Sequence, residues 1–107
     1  MQKILSGWGN STKYNCNVYY LNKKSNISNI FENSKSLIAR GAGRSYGDSS
    51  LAETVLILDK RKKIYNFNID QGEIEISSDF TISELNDVTI PKGWIIPVTP
   101  GTSFATI

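Results

Sequence analysis

An α+β fold with a mixed sheet and two short helices is what this sequence predicts, on three observations. Apolar, β-branched runs of strand length recur at SLIAR, TVLILDK and WIIPV. The stretches KIYNFN and GEIEIS alternate apolar with polar residues on either side of a turn, and two short segments place apolar residues at helical spacing. With 107 residues, 39% of them hydrophobic and 21% charged, the chain has the composition of one folded domain spanning residues 1–107 rather than of a disordered tail.

The elements follow in chain order. Tyr19 and Tyr20 belong to a first strand. Residues 25–35 carry Ile27, Ile30 and Phe31 on one helical face, with Ser25 or Asn26 as N-cap. SLIAR and TVLILDK are strands on either side of a glycine-rich loop. KIYNFN and GEIEIS form a hairpin around Asp70, Gln71 and Gly72, and the acidic pair Glu73 and Glu75 alternates outward to solvent. In TISELNDV, Thr81 and Glu84 have the spacing of a capping box, which predicts a second helix with Ile82 and Leu85 on one face. Pro91, Lys92 and Gly93 then turn the chain into WIIPV, a last strand, and a second tight loop follows at residues 99–102. The final segment, PVTPGTSFATI, stops on an apolar run and reads as a cut.

Composition removes several functions. A formal charge of +2 with mixed signs argues against a nucleic-acid or anionic-membrane partner, and KRKK at residues 60–63 is an ordinary solvated charge run. Cys16 is the only cysteine and there is no histidine, so no internal disulfide, no cysteine/histidine zinc site and no histidine-based nucleophile is expected. Cys16 reads as a small, partly buried residue. No apolar run reaches the roughly 20 residues of a membrane span, and the first residues lack a secretory h-region, so a cytoplasmic location is expected.

The distinctive stretch is IARGAGRSYGDSSL, residues 38–51. It fails the dinucleotide pattern GxGxxG, because Gly41, Gly43 and Gly47 are spaced one residue too widely and no helix signal follows. It fails the Walker pattern, because Asp48 stands where lysine and a hydroxyl residue are needed, and a kinase loop shares the spacing fault. Two readings of its chemistry remain. In one, glycines let main-chain N–H groups approach an anion, Ser45, Ser49 and Ser50 add hydroxyls, and Arg40 and Arg44 add charge. In the other, the loop is a strand-to-strand turn in which Asp48 hydrogen-bonds its own backbone.

RGAGRSYGDSSL, with GWGN at residues 7–10 and GWIIPVTPGTSFATI at residues 93–107, resembles the FAD-binding domain of the vanillyl-alcohol oxidase and p-cresol methylhydroxylase type across nearly the whole chain. The resemblance implies a PCMH-type subdomain, truncated here, in which the first loop and a later PGT segment contact FAD from opposite sides. Ala39, Arg40, Gly41 and Ala42 would open the first contact. Gly41, Gly43, Arg44, Ser45 and Tyr46 would donate to the cofactor or pack along it, with Tyr46 near the flavin, and Gly47, Asp48 and Ser49 would complete the stretch that lines it. Gly101, Thr102, Thr106 and Ile107 would form the facing loop. The glycine pair that follows in relatives is missing after Ile107, in keeping with a cut.

Many relatives attach the flavin through a histidine where this sequence has Arg44, so the resemblance implies non-covalent FAD, as in the branch acting on a polyprenyl-phosphosugar. Asp79 stands where relatives place glycine, which opens the question of the local turn. The family oxidises an alcohol carbon by passing hydride to the flavin. The expected partners are therefore FAD and, in the full-length protein, a sugar-type substrate. The residues that handle that substrate lie in another domain of relatives, so no catalytic residue is assigned. The 107-residue chain alone is expected to be inactive and to bind FAD weakly. The rival reading is a non-enzymatic module that binds another phosphate ligand or a partner. Trp8 and Trp94 read as packing residues, and Asp48, lacking a second carboxylate or a histidine, as a turn residue rather than a base.

Overall fold

The computed structural model describes residues 1–59 and 61–107; Lys60, the first residue of the KRKK run, lies outside the described residues. The chain is α+β and divides into two compact units, Met1–Asp59 and Lys60–Ile107. Among the described residues, no helix is long and apolar enough to cross a membrane.

The first unit is a mixed four-stranded sheet in the order β1-β2-β4-β3, with β1 Gln2–Ser6, β2 Lys13–Leu21, β3 Leu37–Ala39 and β4 Thr54–Leu58. β1 pairs antiparallel with β2, while β2 and β3 both run parallel to β4. Helix α1, Ile27–Glu32, joins β2 to β3, and Asn26 caps it by accepting the Asn29 amide at 3.1 Å. The helix is shorter than its apolar spacing suggests and none of its residues is buried: Ile27 and Phe31 are exposed and Ile30 is half-buried. β4 is central, and its consecutive Thr54, Val55 and Leu56 are all buried, as a strand covered on both faces requires. Cys16, Val18, Leu51 and Val55 form the core of this unit. β1 has no counterpart among the predicted elements; the strand that carries Tyr19 and Tyr20 is β2.

The second unit contains the predicted hairpin, β5 Ile64–Asn68 with β6 Glu73–Ile76, whose register shifts between Ile64 and Asn66. Glu73 and Glu75 are exposed while Ile74 and Ile76 are half-buried. Gly72 sits in the turn at φ +70° with the Trp94 ring packed against its open side, and Trp94 Nε1 donates to the Ile69 carbonyl at 2.6 Å. Helix α2, Ile82–Thr89, starts with a complete capping box: Thr81 Oγ1 accepts the Glu84 amide at 3.2 Å and Glu84 Oε2 accepts the Thr81 amide at 3.0 Å. A 3₁₀ turn, Ile90–Lys92, follows. Gly93 at φ +85° closes it, with the Gly93 amide donating to Ile90 and the Trp94 amide to Thr89, the two bonds of a Schellman end.

One expectation is corrected and one open question is answered. WIIPV is not a strand: the chain leaves Gly93 without a pairing partner among the described residues, Pro97 has no N–H to give to a ladder, and Val98 is 82% exposed. Asp79 does not disturb its turn but organises it, because Oδ2 accepts the main-chain N–H groups of Arg61 (2.6 Å) and Lys62 (2.9 Å). These bonds hold Lys62 at φ +38°, a conformation that costs a side-chain-bearing residue energy.

Candidate functional site

The glycine loop leaves the end of β3 and returns at β4, two strands that lie side by side and parallel. Parallel neighbours cannot be joined by a tight turn, so residues 40–53 must travel over the sheet, and the reading of this stretch as a simple strand-to-strand turn is overturned. The crossover brings Ser50 and Leu51 into the interior and leaves Gly41, Ala42 and residues 44–49 exposed.

Two glycines give this path its shape. Gly43 (φ +71°) and Gly47 (φ +57°) take left-handed conformations that other residues adopt only at a cost. Among the described residues, the main-chain N–H groups of Gly41, Ala42 and Gly43 make no hydrogen bond, whereas the flanking Arg40 amide is engaged with Leu56 at 2.8 Å. Farther along, the Ser49 amide donates to Tyr46 and the Leu51 amide to Asp48, closing two short turns. The Asp48 contribution comes from its carbonyl, which takes the Leu51 amide at 2.8 Å, and not from the carboxylate bond expected of it.

The N-terminal segment GWGN packs directly on the loop. Gly7 is buried, and a Cβ there would lie 2.0 Å from the Gly47 carbonyl oxygen and 3.0 Å from that of Ser45. The Trp8 amide donates to the Ser45 carbonyl at 2.9 Å, and Trp8 and Tyr46 form an isolated parallel bridge. Their rings meet edge to face at 5.7 Å, yet Trp8 is 51% and Tyr46 77% exposed. Trp8 is thus an exposed neighbour of the loop and not an interior packing residue. Its place beside Tyr46 was signalled only by the joint presence of GWGN and the glycine motif.

The two arginines part company. Arg44 is exposed, whereas Arg40 turns its guanidinium inward, where Nη2 donates to the Ser6 carbonyl at 2.7 Å and Nη1 to Ser50 Oγ at 3.0 Å. Ser50 is correspondingly a buried acceptor rather than an outward donor.

In the second unit, the predicted loop residues surround the start of α2. The Ile82 amide donates to Ala105 and the Ser83 amide to Ser103, the Ile107 amide donates to Phe80, and Thr81 bridges Thr106. Together with the capping box, these bonds use the donors of the first helical turn, so that helix end has none left for an anion. Gly101 is exposed, Thr102 and Thr106 are half-buried, and Ile107 is exposed.

The chemistry available in the first unit is therefore that of three adjacent unengaged amides on an exposed loop, with a guanidinium packed against Gly43 and two exposed aromatic rings nearby. That set suits an anionic group attached to a flat ring system.

No protein-family model matches the chain. Over 78 residues it is 32% identical to decaprenylphosphoryl-beta-D-ribose oxidase from Mycolicibacterium smegmatis, an alignment covering 71% of this chain and 17% of the relative. The chain thus spans about a sixth of the length of that curated relative, to which it is distantly related.

Proposed function

We propose that residues 1–107 are a portion of a PCMH-type FAD-binding domain, belonging to a flavin-dependent oxidoreductase that oxidises an alcohol carbon of a sugar or polyprenyl-phosphosugar. The observation that carries this reading is the run of unengaged Gly41, Ala42 and Gly43 amides in a loop bent by two left-handed glycines. Identity to an oxidase whose name specifies a decaprenylphosphoryl ribose supports the substrate class.

The residues present fit the cofactor. Gly41, Ala42 and Gly43 would donate main-chain N–H groups to its phosphates, where glycine leaves room for close approach. Tyr46, with Trp8 against it, offers an aromatic edge for the ring system. Ser45, Ser49 and Arg44 are exposed and within the same stretch. Gly101, Thr102, Thr106 and Ile107 are proposed as cofactor contacts on resemblance alone. A bound flavin would supply hydride acceptance, and this chain's residues would bind and orient it. Attachment is proposed to be non-covalent, because Arg44 has no nucleophilic nitrogen to match an imidazole and the sequence has no histidine.

The test is the absorption spectrum of the protein expressed from its complete gene. A yellow protein with flavin bands, which releases all flavin into the supernatant on acid precipitation, is the expected result. A colourless, folded protein that takes up no added FAD refutes the cofactor and leaves the rival phosphate-binding module. Flavin retained on the pellet refutes non-covalent attachment.

A further inference from the structure

The FAD reading leaves the Arg40 side chain without a task at the ligand, because its guanidinium is already engaged inside the first unit. It ties three separated stretches together: its own position at the loop entry, Ser6 at the end of β1, and Ser50 at the loop exit. The loop main chain rests on it, since a Cβ at Gly43 would lie 2.2 Å from Nη2 and 2.8 Å from Cζ. Arg40 is half-buried, and among the described residues no carboxylate forms an ion pair with it. An un-neutralised cation in such a place favours negative charge close by, more strongly than it would in open water.

We propose that Arg40 is a positioning residue of the glycine loop: it holds the Gly41, Ala42 and Gly43 amides in an anion-accepting arrangement and lends the bound anion its unpaired charge, without touching the ligand. This rests on the cofactor reading above. The planar fork and the charge both contribute, because three acceptors on two stretches are served by one rigid cationic group. Lysine keeps the charge but not the fork, and methionine keeps neither.

FAD is titrated into the full-length protein and its R40M, R40K and S50A variants at several salt concentrations, with flavin fluorescence as readout. R40M is expected to weaken FAD binding about tenfold or more, and R40K and S50A by smaller factors, as befits loss of all or part of a charge-assisted network. The fall of affinity with salt should flatten in R40M alone, since only that variant loses the charge. A merely structural role would lower affinity equally in R40M and R40K with unchanged salt dependence, and that result overturns the proposal. Wild-type binding with unaltered affinity in the variants overturns the positioning role and leaves the cofactor reading standing. Absence of FAD binding by the wild type overturns both. Should R40M fail to fold, R40K and S50A decide, and wild-type affinity in both overturns the proposal.

Discussion

Replacing Gly7 with alanine tests whether GWGN is the support on which the glycine loop is built. The new Cβ would lie 2.0 Å from the Gly47 carbonyl oxygen, 3.0 Å from that of Ser45 and 3.1 Å from the Gly47 carbonyl carbon. All three neighbours are main chain, so no side chain can swing away, and the two segments must separate. Overpacking of this kind costs about 1–3 kcal/mol. Separation also breaks the Trp8 amide bond to the Ser45 carbonyl, worth about 0.5–1.5 kcal/mol. The sum, about 1.5–4.5 kcal/mol, is a large share of the roughly 5–15 kcal/mol that stabilises an ordinary domain. Gly101→Ala is the matched control, because nothing lies within 4 Å of its Cβ position and its φ is ordinary. Urea unfolding of both variants, followed by tryptophan fluorescence and circular dichroism, should place G7A well below wild type and G101A within about 0.5 kcal/mol of it. Equal stability of G7A and G101A would refute the close approach.

Three further outcomes concern the second unit. Partial burial raises the Asp79 carboxyl, but the Ser77 hydroxyl and the Lys62 and Arg61 amides outweigh it and hold the group below its ordinary value of 3.8. Glu84 is held below its ordinary 4.5, first by the Lys62 ammonium and then by the Thr81 amide. The unfolded chain therefore binds more protons near these values, so the stabilisation is complete above them and is lost as pH falls through the lower folded values. Acid unfolding followed by Trp94 fluorescence should show this loss, and D79N with E84Q should flatten it. Thr81→Ala should cost about 1 kcal/mol through loss of the cap, measured by denaturant titration; no change would mean that the box is idle. Gly72→Ala meets the Trp94 ring at 2.5 Å in a left-handed conformation and should lose about 1–3 kcal/mol with a shifted Trp94 emission; wild-type stability would refute the stacking.

What the sequence made legible was local. The capping box at Thr81 and Glu84 and the hairpin around Gly72 depend on residues a few positions apart, and both are present. The long-range arrangement was not legible. Nothing in SLIAR or TVLILDK says that they pair in parallel, and that pairing is what turns the glycine stretch from a turn into a crossover. β1 escaped notice because Ile4 and Leu5 are adjacent rather than alternating. WIIPV misled because an apolar run shows strand propensity but not whether a partner strand exists. At the site, the glycine positions were readable and the fate of the arginines was not. An arginine after a strand looks the same in sequence whether it faces a ligand or, like Arg40, grips two carbonyls and a buried serine.

In the proposed function, the amides of Gly41, Ala42 and Gly43 are donors kept for an anionic cofactor. The most direct measurement is the amide NMR spectrum of the protein, assigned through this loop and recorded as FAD is added. Shifted and exchange-protected Gly41, Ala42 and Gly43 signals are predicted; saturable FAD binding that leaves those three amides unmoved would rule out their role as its donors.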